Sequence, residues 1–282
     1  MEEYKKPLLR PSTYTGYSTD IRNHILPHFG SKKLTQLKTS DLQKLYNRLL
    51  ESGRMKDNRK GKGLAPTTVR GIHVILREAI ESAVREGLIP KNPSDGTSLP
   101  KIHRKEKQIL TKDQLETFMK MIENDEAWYD FFYTEILTGM RAGEICGVRW
   151  EDFDEDDRTL RAVRSVDFVH KEFVIGETKT EDGKRTICLP DSLWRLLAER
   201  KKKSFSEWIF PNLLKPELPL DPSKAYRQLK AILKKGAFPI FDCTTCAIRS
   251  HHTPQIRASH QRPCQKSLDT ARRASRWTTM HM

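Results

Sequence analysis

At Gly139 an apolar helical run ends, and two residues later a second helical turn begins on an arginine. Phe131, Phe132, Ile136 and Leu137 carry the run, and a glycine after it allows the tight turn that a residue with a Cβ resists. Arg141 therefore starts a helix rather than lying inside one. Ile145 and Val148, four and seven residues on, fall on the face that meets a core, and Glu144 is close enough to pair with the guanidinium and fix its direction. A positioned arginine over a buried scaffold suits a phosphate, because its planar fork donates two parallel hydrogen bonds to two oxygens. The plainer reading is a surface ion pair at a helix start, and the local pattern leaves both open.

The balance of charge bears on the partner. Lys and Arg number 51 against 37 Asp and Glu, a formal charge of +14 that favours a polyanion such as nucleic acid. At 282 residues the chain can hold two domains, each with a core. No apolar run approaches the roughly 18 to 20 residues of a membrane span, and MEEYKKPLL lacks the apolar stretch of a signal peptide, so no membrane and a cytoplasmic location are expected. Five cysteines, an odd number without a secretory signal, argue against a disulfide framework.

Residues 1–10 read as a loose basic start. Tyr14, Tyr17, Ile21 and Ile25 then follow a helical period that Pro27 and Gly30 are expected to end. A second helix is expected from Thr39 or Ser40 as cap through Leu42, Leu45, Tyr46, Leu49 and Leu50, stopping at Gly53. After a basic glycine loop, Pro66 opens a third helix with Val69, Ile72, Leu76, Ile80, Ala83 and Val84 on one face. Lys60, Lys62, Arg70, His73 and Arg77 form either a face that tracks a phosphate backbone or an ordinary solvated face. Residues 11–92 make one helical domain, and the proline-interrupted basic stretch 93–108, with Arg104 and Lys105, reads as a linker able to lie along DNA. A second domain covers 109–236. It opens with a Thr111–Gln114 capping box and, after the arginine turn, changes to strands at Thr159–Val163, Val166–Val169, Phe173–Ile175 and Arg185–Pro190. A hairpin turning near Asp182-Gly183 joins the last two strands, and helices from an Asp191 cap and over Pro222 to Lys235 follow.

Two strings in this second domain go further than periodicity. Leu137 to Phe153, LTGMRAGEICGVRWEDF, resembles the first arginine motif of the tyrosine recombinases, the phage-integrase family, and TKTEDGKRTICLP resembles that family's lysine-bearing hairpin. The resemblance implies a multidomain, mainly α fold: an N-terminal helical, SAM-like core-binding domain, then a mixed α/β catalytic domain with a small antiparallel sheet. It also implies that Arg141 binds the scissile phosphate, supported by Glu144, and that Lys179 is the general acid toward the leaving 5′ oxygen. Lys184 and Arg185 would touch backbone phosphate or solvent. The implied activity is site-specific breaking and rejoining of double-stranded DNA through a phosphotyrosine, by protomers that assemble as tetramers on DNA in a bacterial or phage setting. It needs no metal and no cofactor.

That chemistry also needs a tyrosine nucleophile and two C-terminal motifs, H-x-x-R and L-G-H followed by the tyrosine. Neither motif is present, no tyrosine follows Tyr226, and the tail from Asp242 has no apolar stripe of helical period. When each codon of this tail is read one nucleotide earlier, Ala237 to Ile248 can encode G-F-P-D-I-R-L-H-D-L-R-H, and Leu268 to Met282 can encode L-G-H-G-E-A-S-V-T-M-D-N-Y-A-H. Some positions are forced: Cys243 after Asp242 must give Leu, Thr278 after Trp277 must give Asp, and His281 after Met280 must give Ala. A reading-frame slip near Lys234-Lys235-Gly236 is therefore expected, leaving this chain without strand exchange. The alternatives are a non-catalytic, sequence-specific DNA-binding protein that competes at recombination sites, and a zinc knuckle of Cys243 and Cys246 with His251, His252, His260 or Cys264. A lost N-terminal arm-binding domain is a further expectation left open.

Overall fold

The computed structural model describes residues 6–55, 62–102, 110–178 and 183–238. The chain divides into two units, Met1–Lys105 and Glu106–Met282.

In the first unit, α1 (Pro11–Asp20), a π turn over Ile21–Ile25 and α2 (Leu26–Phe29) follow one another directly. Gly30 ends this helical run as expected, but Pro27 does not. Pro27 stands in the first turn of α2, where a missing N–H costs little, after the wider π turn has shifted the hydrogen-bond pattern. α3 (Thr39–Ser52) packs on α4 (Pro66–Arg85): Leu42, Leu45, Tyr46 and Leu49 meet Val69, Ile72, Leu76 and Ile80 in one core with Ile25. Neither Thr39 nor Ser40 caps α3. The cap position is Lys38, whose backbone N–H donates to Asp41 Oδ2 at 3.0 Å; Thr39 is the first helical residue, and its hydroxyl donates to Pro93 O at 2.8 Å.

That second bond is one of several that reach the stretch expected to be linker. Ser98 N–H donates to Gln43 Oε1 (2.8 Å), Gln43 Nε2 donates to Ser98 O (3.2 Å), and Arg70 Nε donates to Pro100 O (2.8 Å). Residues 93–100 are thus hydrogen-bonded to α3 and α4 and belong to the first unit, which runs to Lys105.

The second unit begins with α5 (Lys112–Ile122), opened by the expected capping box: Thr111 N–H donates to Gln114 Oε1 at 3.0 Å and Gln114 N–H to Thr111 Oγ1 at 3.3 Å. α6 (Glu126–Thr138) and α7 (Ala142–Cys146) follow. The strands β1 (Phe153–Asp154), β2 (Thr159–Ala162), β3 (Arg164–Val169), β4 (Glu172–Glu177) and β5 (Arg185–Cys188) form two antiparallel sheets among the described residues, one in the order β1-β2-β5 and one of β3 with β4. The expected hairpin between β4 and β5 is not one. β4 pairs with β3 and β5 with β2, so the stretch from Thr178 to Lys184 links two sheets. The turn itself, Lys179 to Asp182, lies outside the described residues.

α8 (Asp191–Lys203) and α9 (Pro222–Lys235) complete the unit. Pro190, not Asp191, is the cap of α8; Asp191 is the first helical residue, and its carboxylate pairs with Arg158 Nη1 at 2.6 Å. Phe118, Phe131, Ile145, Leu160, Leu193 and Leu229 share the core that joins helices to sheets. Among the described residues no helix is long and apolar enough to cross a membrane.

Candidate phosphate-binding site

α6 stops because Gly139 adopts a left-handed conformation (φ 65°), and the chain turns at once into the buried Met140. Arg141 follows with extended backbone (φ −72°, ψ 149°) as the cap residue of α7. Its backbone N–H donates to Glu144 Oε2 at 3.1 Å and its Nη1 to Glu144 Oε1 at 2.7 Å. One carboxylate therefore caps the helix start and aims the guanidinium, as the three-residue spacing requires. The Glu144 side chain is 3% exposed and that of Arg141 61% exposed. Arg141 Nε and Nη2 have no bond among the described residues, and that edge presents two parallel N–H groups suited to two phosphate oxygens.

α7 is held against β3 at very short range. A Cβ on Gly143 would meet Ser165 Oγ at 2.7 Å and Val166 O at 2.9 Å, so this helix turn lies where it does only with glycine there. Ile145 and Val148 are buried as their spacing implies. Cys146 is buried beside them, and burial pushes its thiol well above the usual range, which keeps it protonated and unreactive.

Arg185, the first residue of β5, completes the cluster. Its Nη2 donates to Glu144 Oε2 at 3.0 Å, with longer approaches from Nη2 to Gly139 O (3.5 Å) and from Nη1 to Gly183 O (3.4 Å). Periodicity had no means of finding this contact, since its partners are 41 residues apart. Lys184 pairs with Glu177 Oε1 at 2.8 Å rather than standing free. Lys179 follows the buried Thr178 and lies outside the described residues.

The second half of the arginine string braces the scaffold. Buried Asp152 accepts from Arg149 N–H (3.0 Å) and Arg164 Nη1 (2.5 Å), and Arg161 Nη2 comes within 3.7 Å of its other oxygen.

The candidate phosphate face of the first unit is only partly assembled. Lys62 is exposed. Arg77 is half exposed and pairs with Asp95 Oδ1 through Nη2 (3.0 Å) and Nε (3.1 Å), and Arg70 holds Pro100. His73 does not belong to that face. It stands four residues after Val69 and seven before Ile80, inside the apolar stripe, and its Nδ1 meets the Tyr46 hydroxyl at 3.1 Å in the core. Burial, with Arg77 and Arg70 nearby, lowers the pKa of its imidazole against a smaller opposing pull from Asp95. Lys60, Arg104 and Lys105 lie outside the described residues, as does the tail that carries Cys243, Cys246 and Cys264.

Comparison with known proteins gives the same pattern in both units. Residues 1–50 match the phage integrase N-terminal SAM-like domain, and residues 108–254 match the phage integrase family. The ICEBs1 integrase of Bacillus subtilis is 28% identical over 199 residues, which cover 70% of this chain and 51% of that protein. The tyrosine recombinase XerC-like protein of Caldanaerobacter subterraneus is 26% identical over 215 residues, covering 70% and 52%. The chain thus spans about half the length of the curated relatives it matches. In fold it resembles the Tn1549 transposon integrase in complex with a circular intermediate DNA (TM-score 0.73, 19% identity, 94% of this chain and 90% of that one). It also resembles a lambda integrase tetramer bound to a Holliday junction (TM-score 0.70, 18% identity, 92% and 72%).

Proposed function

The chain belongs to the phage integrase family, the tyrosine recombinases, and from that premise we propose that it binds double-stranded DNA at recombination sites and seats a backbone phosphate on Arg141. The observation that carries the reading is the open Nε–Nη2 edge of an arginine whose other nitrogen is fixed by a buried carboxylate. Lys62 and Arg77 add positive charge in the first unit, in keeping with the net charge of +14.

In the strand-exchange reaction of the family a tyrosine hydroxyl gives its proton to a neighbouring base as its oxygen forms a bond to phosphorus and the bond to the 5′ oxygen breaks. The leaving hydroxyl takes its proton from the lysine, the role proposed for Lys179, and the arginine edge holds the phosphate oxygens as negative charge builds on them. No tyrosine follows Tyr226 in this sequence. The chain is therefore a binder of such sites that forms no phosphotyrosine, competing there with any protomer that keeps the nucleophile. The shifted reading of 237–282 restores H-x-x-R, L-G-H and a tyrosine in that order, which supports a frame slip near Lys234-Lys235-Gly236 as the cause. Assembly with further protomers on DNA goes with this reading.

The test uses duplexes that the chain itself selects from a randomised pool, then nicked versions that trap a covalent adduct. The expected result is selection of a shared site with no adduct, and an adduct once the tail is re-encoded one nucleotide earlier. An adduct from the chain as it stands overturns the inactivity, and failure to select any duplex overturns the function. Sequencing the source DNA across Lys234 to Gly236 decides the slip independently, since a single frame without those motifs removes it.

A further inference from the structure

Glu144 is the hinge of the arginine cluster, and its second oxygen is shared between Arg141 and Arg185. Among the described residues, Oε1 accepts from Arg141 Nη1, and Oε2 accepts from Arg141 N–H and from Arg185 Nη2. With Arg141 alone, the carboxylate would cancel the guanidinium and an arriving phosphate would meet a neutral pair. With Arg185 present, two cations share one anion and the cluster keeps one positive charge.

We infer that Arg185 is a positioning residue for Arg141. It neutralises Glu144 and grips Oε2, which leaves Oε1 turned toward Arg141 Nη1 and the Nε–Nη2 edge of Arg141 open to the phosphate. Three features favour this role over direct contact with DNA. The Arg185 side chain is 32% exposed against 61% for Arg141, so it stands deeper in the cluster. Its Nη2 already points at Glu144, and the longer approach of the same nitrogen is to Gly139 O, in the turn that delivers Arg141. It also comes from β5, an edge strand of the β1-β2-β5 sheet, so the grip ties the start of α7 to that sheet.

The inference rests on the reading that this site takes a phosphate. The test is binding of the full chain and its variants to a short labelled duplex by fluorescence anisotropy across a salt series, with a thermal melt on each protein. R185Q is expected to weaken binding about 3- to 10-fold and lower the salt slope by about one, as removal of a phosphate contact does. R185K, whose ammonium still neutralises Glu144, is expected to bind within about twofold of the unaltered chain. In an E144Q background there is no charge left to neutralise, and R185Q should cost less than about twofold more. Equal losses in both backgrounds would assign Arg185 to the phosphate itself and overturn the inference, as would an R185Q protein that binds with unchanged affinity and slope. Where R185Q melts below the working temperature, R185K decides, and a tenfold loss there overturns the inference. An unaltered chain that binds no duplex overturns the phosphate reading and takes the inference with it.

Discussion

Arg141 and Glu144 meet at 2.7 Å with opposite exposures, the arginine side chain 61% open to solvent and the glutamate 3%. A surface pair has both partners wet and contributes little. Here the anion is fixed inside the fold and the cation projects from it. That separates an aimed arginine from an ordinary helix-start ion pair, the alternative that the sequence pattern leaves standing.

Glu144→Ala should destabilise the second unit by about 2 kcal/mol, since it removes a buried carboxylate from between two guanidiniums and strips a backbone N–H of its acceptor; the exposure of Arg141 keeps the figure below that of a fully buried pair. All five tryptophans lie after residue 105, so intrinsic fluorescence during urea unfolding reports this unit. An unshifted midpoint would show that the carboxylate contributes nothing to the fold.

Gly143→Ala should also destabilise, by about 1 to 3 kcal/mol, because the new Cβ would press on Val166 O and the helix must lift from β3. Gly71 is the contrast. It lies in the middle of α4 with nothing within 4 Å of an added Cβ, and Gly71→Ala should stabilise the first unit by about 0.5 to 1 kcal/mol. Thermal melts of the two variants should move in opposite directions.

What the sequence discloses and what it hides divide along physical lines. α9 runs over Pro222 to Lys235 as read, and α4 starts at Pro66, because a capped or proline-started helix is specified by residues next to one another. The same locality made Arg141, Gly139 and Glu144 legible. The pairing of β4 with β3 rather than β5, and the reach of Arg185 to Glu144, depend on residues distant in the chain, where alternation within a strand says nothing of the neighbour. His73 lies between these cases. Its position in the Val69–Ile80 stripe was visible, but its polarity pointed outward, and only the Tyr46 hydroxyl across the core explains why a histidine is accepted there.

That histidine should make the first unit sensitive to acid. Burial lowers its folded-state pKa below the usual 6.5, so the neutral form is favoured in the fold. A depressed histidine contributes stability that is complete above the unfolded pKa and is lost as pH falls through the lower folded value. Stability of the first unit should therefore decline from about pH 6.5 downward. His73→Gln, which still offers Tyr46 an acceptor, should flatten that decline. Hydrogen exchange of α3 and α4 peptides between neutral and mildly acidic pH measures both, and an equally steep decline in the variant would place the sensitivity elsewhere.

The bonds that fasten residues 93–100 make a last prediction. Gln43 faces the Ser98 backbone with both ends of its amide, accepting from the N–H at 2.8 Å and donating to the carbonyl at 3.2 Å, as a neighbouring strand would. Thr39 and Arg70 hold Pro93 and Pro100 on either side. Gln43→Ala removes one of the fastenings of this stretch, and with each of its two bonds contributing about 0.5 to 1.5 kcal/mol, losing both should raise local opening roughly 5- to 150-fold. Exchange of the Ser98 amide should accelerate to that extent, while amides of the α3–α4 core keep their rates because Leu42, Leu45 and Ile72 do not depend on Gln43. Arg70→Ala should free the Pro100 end in the same way. It should also weaken DNA binding less than Arg141→Ala does, since the Arg70 Nε is bonded to the chain and the Arg141 edge is open. If Ser98 exchanges as fast before substitution as after, the Gln43 bonds do not hold residues 93–100 in solution.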